Sequence, residues 1–359
     1  MSKIQKLFPL LLIISISLSL TCSQSNEPGK PSFKDPREMT WTVDTLHYPG
    51  NIQTLMSSIA VRSMSDIWLC GHADGLGDMW NYNGVEWSSV NLHESDISIS
   101  YYNDFYVDDN KNIFLAGMQG RTGEPPLSKV IKYDGEDWSD LNAPGNVDLL
   151  SIHGDSENNI WACGRDGIVI HYNGNNCDID TIVIPAWKSA DYFLNSIAVF
   201  ETEIHLQATV HDSQRMRQSF YNIIGSMDNW IVIDSMIFDG SSAIKKWGYW
   251  GSYVSDCNKL YSFGPGGIWL WNGNTWEKSL VSNYPIEGMD STTENYIIAT
   301  GQRGHVFFYD GSTWNHLSAT ADTPSPILYT DAWTNGYEAV IIGYTTEGYP
   351  MKTVVWRGE

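Results

Sequence analysis

Apolar residues along this chain fall into short runs that end on glycine. Each such run is followed by a second one closed by an aromatic residue and an Asn-Gly or Asp-Gly pair. The clearest example reads Ile160-Trp161-Ala162-Cys163-Gly164, Arg165-Asp166-Gly167, Ile168-Val169-Ile170-His171-Tyr172, Asn173-Gly174. Runs of this length, rich in β-branched and aromatic residues and bounded by turn residues, predict strands, and Asp-Gly between two of them predicts a hairpin.

The pattern recurs. The anchor glycine closes Ile67-Trp68-Leu69-Cys70-Gly71, Ile113-Phe114-Leu115-Ala116-Gly117 and the Gly164 run. It then closes Leu260-Tyr261-Ser262-Phe263-Gly264, Ile297-Ile298-Ala299-Thr300-Gly301 and Ala339-Val340-Ile341-Ile342-Gly343. A degenerate copy, Ile204-His205-Leu206-Gln207-Ala208, fills the long gap between Gly164 and Gly264. The anchors are 46, 47, 44, 56, 37 and 42 residues apart, the period of a four-stranded propeller blade.

The second half of the repeat is an aromatic, an Asx-Gly turn, two residues and Trp. It occurs as Tyr82-Asn83-Gly84 with Trp87, Tyr133-Asp134-Gly135 with Trp138, Trp271-Asn272-Gly273 with Trp276, and Tyr309-Asp310-Gly311 with Trp314; Tyr172-Asn173-Gly174 has Cys177 in place of Trp. Asx-Gly accepts the positive φ of a type I′ turn, which is the turn expected here. A Trp at one place on each outer strand would fill the wedge between blades.

The seventh copy ends at Val354-Val355-Trp356-Arg357-Gly358-Glu359, without a fourth strand. Thr40-Trp41-Thr42-Val43-Asp44-Thr45-Leu46, near the other end of the chain, has the character of that strand. The expectation is an all-β, seven-bladed β-propeller over residues 40–359, its last blade completed by an N-terminal strand. Such closure leaves no open ring edge, and a monomer is expected.

Composition agrees: the chain is 13% aromatic with 31 Gly, and no long segment has helical period. Residues 1–21 differ. Lys3 and Lys6 precede an apolar run from Leu7 to Leu20 that ends at Thr21-Cys22, a charged n-region and h-region too short to span a bilayer. Cys22 directly after it resembles the lipobox cysteine of bacterial lipoproteins, which implies lipidation at Cys22 and export to the bacterial envelope, with the membrane reached through the anchor only; Ser19-Leu20-Thr21 departs from the usual small-residue pattern. An ordinary secretory leader with an incidental Cys is the alternative. Residues 22–39, polar and rich in Pro, Gly and Lys, read as a tether.

The formal net charge is −21, and loss of Lys3 and Lys6 with the leader makes it −23. That balance disfavours nucleic acid, whose phosphates need clustered Lys and Arg. Cys70 and Cys163 share a repeat position in a buried second strand and read as free thiols; Cys177 and Cys257 leave disulfides open. No metal site and no cofactor is expected, because no C-x-x-C pair, clustered His or phosphate-binding loop is present. Asp108-Asp109-Asn110-Lys111-Asn112 has oxygen side chains at alternate positions but lacks the Gly and Glu of a calcium loop, so it reads as an inter-strand turn.

The repeat as written by Asp66-Ile67-Trp68-Leu69-Cys70-Gly71 and Phe308-Tyr309-Asp310-Gly311-Ser312-Thr313-Trp314 resembles those of the two-component-regulator, BNR and photosystem II assembly factor-like propellers. The resemblance covers about residues 40–359 and implies the fold and a sensing, assembly or adhesion role on the envelope.

Between second and third strands, three blades have the shortest turn (Gly164 to Gly167, Gly264 to Gly267, Gly301 to Gly304), whereas blades one, two, four and seven carry insertions at 72–78, 118–128, 210–218 and 344–350. Long loops on a rigid scaffold are where binding concentrates. The expectation is therefore a non-enzymatic module binding an envelope protein or glycan, with Arg121, His211, Arg215, Arg217, Tyr344 and Tyr349 as candidate contacts. The rival is a glycan-active hydrolase or lyase with carboxylates at the channel mouth, where Arg62, Asp108, Asp155 and Asp290 are expected.

Overall fold

A computed structural model describes residues 32–183, 191–212, 217–238, 245–317 and 326–359; the leader, Cys22 and Arg215 lie outside them. Among these residues the chain forms seven four-stranded antiparallel sheets, with two three-residue 3-10 turns and no longer helix. No helix among the described residues is long and apolar enough to cross a membrane. Successive sheets are blades of one ring, with innermost strands Thr54–Ser63, Tyr101–Val107, Leu149–Ser156, Asp191–Phe200, Gly251–Val254, Ile286–Thr293 and Ile327–Thr334.

The last blade is closed by the N-terminal segment. Strand Trp41–Leu46 pairs antiparallel with Thr353–Gly358, from Trp41 opposite Gly358 to Leu46 opposite Thr353. Packing starts before the strand expected at about residue 40. Phe33 lies edge-on to Tyr296 and Tyr337, each at 5.5 Å, the Lys34 N–H donates to Gly336 O (2.8 Å), and Tyr296 Oη donates to Lys34 O (2.8 Å). This strap crosses the seam between blades six and seven. On the other side of the clasp, Asp44 accepts from both Trp87 Nε1 of blade one (3.0 Å) and Arg357 Nε (2.9 Å).

The anchor glycines have a steric cause. Five of the six pair with the residue just before a β-bulge in the innermost strand: Gly71 with Met56, Gly117 with Tyr102, Gly164 with Leu149, Gly301 with Ile286, Gly343 with Tyr329. The bulge pushes a carbonyl towards the neighbour. A Cβ at Gly71, Gly117 or Gly164 would run into the oxygen of Leu55, Tyr101 or Asp148. Ala208 holds the equivalent place in blade four, opposite Leu194.

The Asx-Gly turns depart from the expected type I′ geometry. Tyr82 pairs with Trp87, so four residues turn, and of the first two only Gly84 has positive φ (90°). The Asn83 side chain supplies what a two-residue turn would have: its Oδ1 accepts from the N–H groups of Val85 (2.9 Å) and Glu86 (3.0 Å). Asp134, Asn173, Asn272 and Asp310 do the same in their blades. The Asp166-Gly167 turn has positive φ at both positions (58° and 73°), as type I′ requires.

Cores lie between blades. Trp68, Met79, Ile113 and Leu115 pack together at the first seam, where Trp138 of blade two stands edge-on to Trp68 at 5.3 Å. Burying each such side chain contributes about 1.5–3 kcal/mol. Cys70, Cys163 and Cys177 are free thiols. The first two are buried, and burial pushes their thiols well above the ordinary range.

Candidate functional site

The ring encloses a central channel with a cavity of about 760 Å³. Its wall is held by hydrogen bonds from blade to blade at the residue following each bulge. The Asp331 carboxylate accepts the Ile59 N–H (3.1 Å), Ser58 Oγ the Phe105 N–H (3.1 Å), and Asp104 the Ile152 N–H (3.0 Å). Ser151 Oγ accepts the Ile197 N–H (3.4 Å), and Ser196 Oγ the Ser252 N–H (2.8 Å). In blade six the same place is Gly288, because a Cβ there would meet Thr330 O at 2.5 Å. Asp290 takes over one turn of the pleat lower. It accepts from Tyr253 Oη of blade five (2.7 Å) and from the Thr334 N–H of blade seven (2.6 Å).

These three aspartates line the channel wall and are half-buried. Desolvation pushes Asp104 up to about 6 and Asp290 up to about 7, and raises Asp331 well above the carboxylate range, with Asp104 and Asp290 adding repulsion at Asp331.

Of the residues expected at the channel mouth, Asp108 and Asp290 line the channel and both are engaged. Asp108 is 3% exposed and caps the 108–112 turn, accepting from the Asn112 N–H and Nδ2 (both 2.8 Å). Arg62 stands beside the channel wall, donating to Lys111 O (2.8 Å) and Asp66 (2.6 Å) over the Tyr133 ring. Asp155 is exposed and accepts from Ser156 Oγ (3.1 Å). No group of three or more His, Cys, Asp or Glu among the described residues is placed to hold a metal ion.

The opposite face carries the insertions. Those of blades seven and one are joined by the segment that follows the clasp strand. Asp74 accepts the N–H groups of Ile52 and Gln53 (3.0–3.1 Å), and Asn51 Nδ2 donates to Leu76 O (2.8 Å). From the other side the Met351 N–H donates to Ile52 O (2.9 Å) and the Thr54 N–H to Met351 O (3.0 Å). Two loops and a connector thus form one platform. On it Tyr349 is 77% exposed, Ile52 59%, and Leu76 45%, and Tyr101 of blade two is 46% exposed beside it. Between blades one and two lies a groove of about 530 Å³, lined by His72, Leu76, Asp78, Asn91, His93 and Tyr101 among others.

Solved structures similar to this chain include propellers. YCF48 bound to a D1 peptide shares 13% identity and a TM-score of 0.57, over 91% of this chain and 96% of that one. YCF48 from Cyanidioschyzon merolae shares 13%, TM-score 0.53, over 88% and 98%. The WD40 repeats of RRP9 share 8%, TM-score 0.54, over 90% and 100%. At these identities the likeness shows the fold. No family model matches the chain, and no curated protein does.

Of the candidate contacts, Tyr344 and Tyr349 fall on blade seven and Arg121 on blade two, with blade one between them. Tyr344 is half-buried in the strand Ala339–Thr345, and Tyr349 is in the open loop. Arg121 is tied within its own loop, donating to Pro125 O (2.9 Å) and pairing with Glu124 (2.7 Å). His211 and Arg217 sit apart on blade four, where the insertion is mostly a continuation of two strands that pair His211 with Gln218 and Asp212 with Arg217. Pattern reading missed Ile52, Leu76, Asp78 and Tyr101. Leu76 and Asp78 lie inside an insertion it marked, but nothing local tells an exposed Leu from a buried one.

Proposed function

We propose that this protein is a non-enzymatic binding or assembly module that docks a protein partner through the long-loop face of blades seven, one and two. The observation that carries this is the platform itself: two loops 277 residues apart in sequence, measured from Asp74 to Met351, are locked to one connector. A pre-ordered surface avoids much of the ordering cost of binding, and the exposed Ile52, Leu76, Tyr101 and Tyr349 supply the apolar and aromatic anchors interfaces favour. That a propeller of similar shape, YCF48, is seen with a bound peptide supports the reading. The module is exported and held at the bacterial envelope by lipid on Cys22, a reading supported by Lys3, Lys6 and the apolar run before Cys22.

The test is a photo-reactive amino acid placed at Leu76, with Glu86 on the opposite face as control. Cross-linking in the intact envelope from Leu76 to one partner, and none from Glu86, is expected; equal labelling from both faces overturns the reading. For the anchor, Cys22→Ala is expected to release the protein from membranes. Mass spectrometry that finds Cys22 unmodified or in a disulfide overturns that part.

A further inference from the structure

The groove between blades one and two has a charge pattern that names its ligand. Its titratable lining is His72, Asp74, Asp78, His93, Tyr101 and Tyr102, with no Lys or Arg. Asp74 is spent on the N–H groups of Ile52 and Gln53, and His93 Nδ1 meets Ser100 Oγ at 3.0 Å. Asp78 differs. One of its oxygens accepts the Ala73 N–H (2.5 Å), and the other has no hydrogen-bond partner among the described residues. Burial pushes its carboxyl up to about 6, so at neutral pH it is mostly an anion that lacks a full complement of donors. The exposed Tyr101 and Leu76 line the same groove.

We propose that this groove takes the cationic side chain, arginine or lysine, of an extended segment of the protein partner, with Asp78 as its counter-ion. The inference rests on the loop-face reading and adds the ligand chemistry. A charge-assisted hydrogen bond to Asp78 satisfies the free oxygen. The Tyr101 face offers a cation–π contact, and Leu76 an apolar wall for the side-chain stem. The volume lies within the range of about 300–1,000 Å³ typical of ligand sites. The field of a chain with net charge −21 draws such a ligand in.

The probe is a fluorescein-labelled Gly-Leu-Arg-Leu-Gly peptide, compared by anisotropy at pH 7.5 with the same peptide carrying citrulline, the neutral isostere of arginine. The wild type is expected to prefer arginine at least tenfold. Asp78→Asn, which keeps an acceptor for the Ala73 N–H, is expected to erase the preference at unchanged melting temperature. Asp137→Asn, an equal charge change on the other face, is expected to keep it. Tyr101→Ala leaves Asp78 in place and is expected to weaken arginine binding about threefold, a readout that stands if Asn at 78 impairs folding. No preference in the wild type, or one that survives Asp78→Asn, overturns the proposal. If that happens while the Leu76 cross-link persists, the loop-face reading stands without it; loss of the cross-link with the Asp78-dependent preference intact removes the partner reading instead.

Discussion

Asp331 of blade seven and Ile59 of blade one, 272 residues apart in sequence, are joined by a 3.1 Å hydrogen bond from the Ile59 N–H to the Asp331 carboxylate. It closes the ring at the channel as the strand Trp41–Leu46 closes it at the rim. Equivalent bonds recur at the next four seams, so five of the seven seams are stitched on the inside this way; in blades five and six the acceptor's place is held by Gly251 and Gly288, and Asp290 of blade six bridges to both neighbours instead.

Asp331→Ala is therefore expected to destabilise the protein by about 1–2 kcal/mol, the cost of leaving the Ile59 N–H without its acceptor. Asp331→Asn, which retains an acceptor oxygen, is expected to cost less. Denaturant unfolding followed by Trp fluorescence checks this; equal losses for the two variants would mean that the bond is not what matters.

The buried carboxylates also set a pH dependence. Asp290, raised to about 7, and Asp331, raised well above the ordinary range, bind protons more readily folded than unfolded, so they lower stability as pH rises from about 4 through these values. His153 and His205 act the other way, because desolvation lowers both to about 4. Each contributes stability that is lost as pH falls from about 6.5 to 4, which offsets the aspartates in that range. Above about 6.5 the histidine contribution is constant. Above about pH 6.5 only the carboxylates among these groups still titrate, so stability is expected to decline from there towards pH 8. A variant with Asp290→Asn and Asp331→Asn should show a flatter alkaline limb in melting temperature against pH, and an unchanged slope would refute the assignment.

Removing residues up to 46 takes away the fourth strand of blade seven, the Asp44 link to Trp87 and Arg357, and the Phe33 packing on Tyr296 and Tyr337. The truncated protein is expected to melt at a much lower temperature and to self-associate through the exposed edge at Thr353–Gly358. A synthetic peptide spanning 33–47, added in excess, is expected to restore part of the loss by binding the folded ring. Truncation without change in melting temperature would count against the clasp.

The blade count and the strand order were legible in the sequence because short-range signals recur along it, an apolar run in all seven copies, its closing glycine in six and an Asx-Gly turn in five, and the clasp was legible because the seventh copy stops before its fourth strand. The turn type was not. Asn83 and its equivalents serve through side-chain bonds to the N–H groups two and three residues on, and a dipeptide does not show whether its hairpin loop has two residues or four.

What the residue pattern alone determined is the ring: repeats of about 37 to 56 residues, each too small to bury its own faces, can be stable only packed side by side. What only the tertiary structure decided is which polar residues hold that ring and which are left to bind. Ser58, Asp104, Ser151, Ser196 and Asp331 recur at nearly the repeat spacing. Yet they meet the next blade's backbone only because a bulge turns them across the seam. Leu76, Asp78 and Tyr101 form one groove for the same kind of reason. Two neighbouring blades bring their loop face together, and contact between blades is set by the closure of the whole ring, which no local stretch of chain encodes.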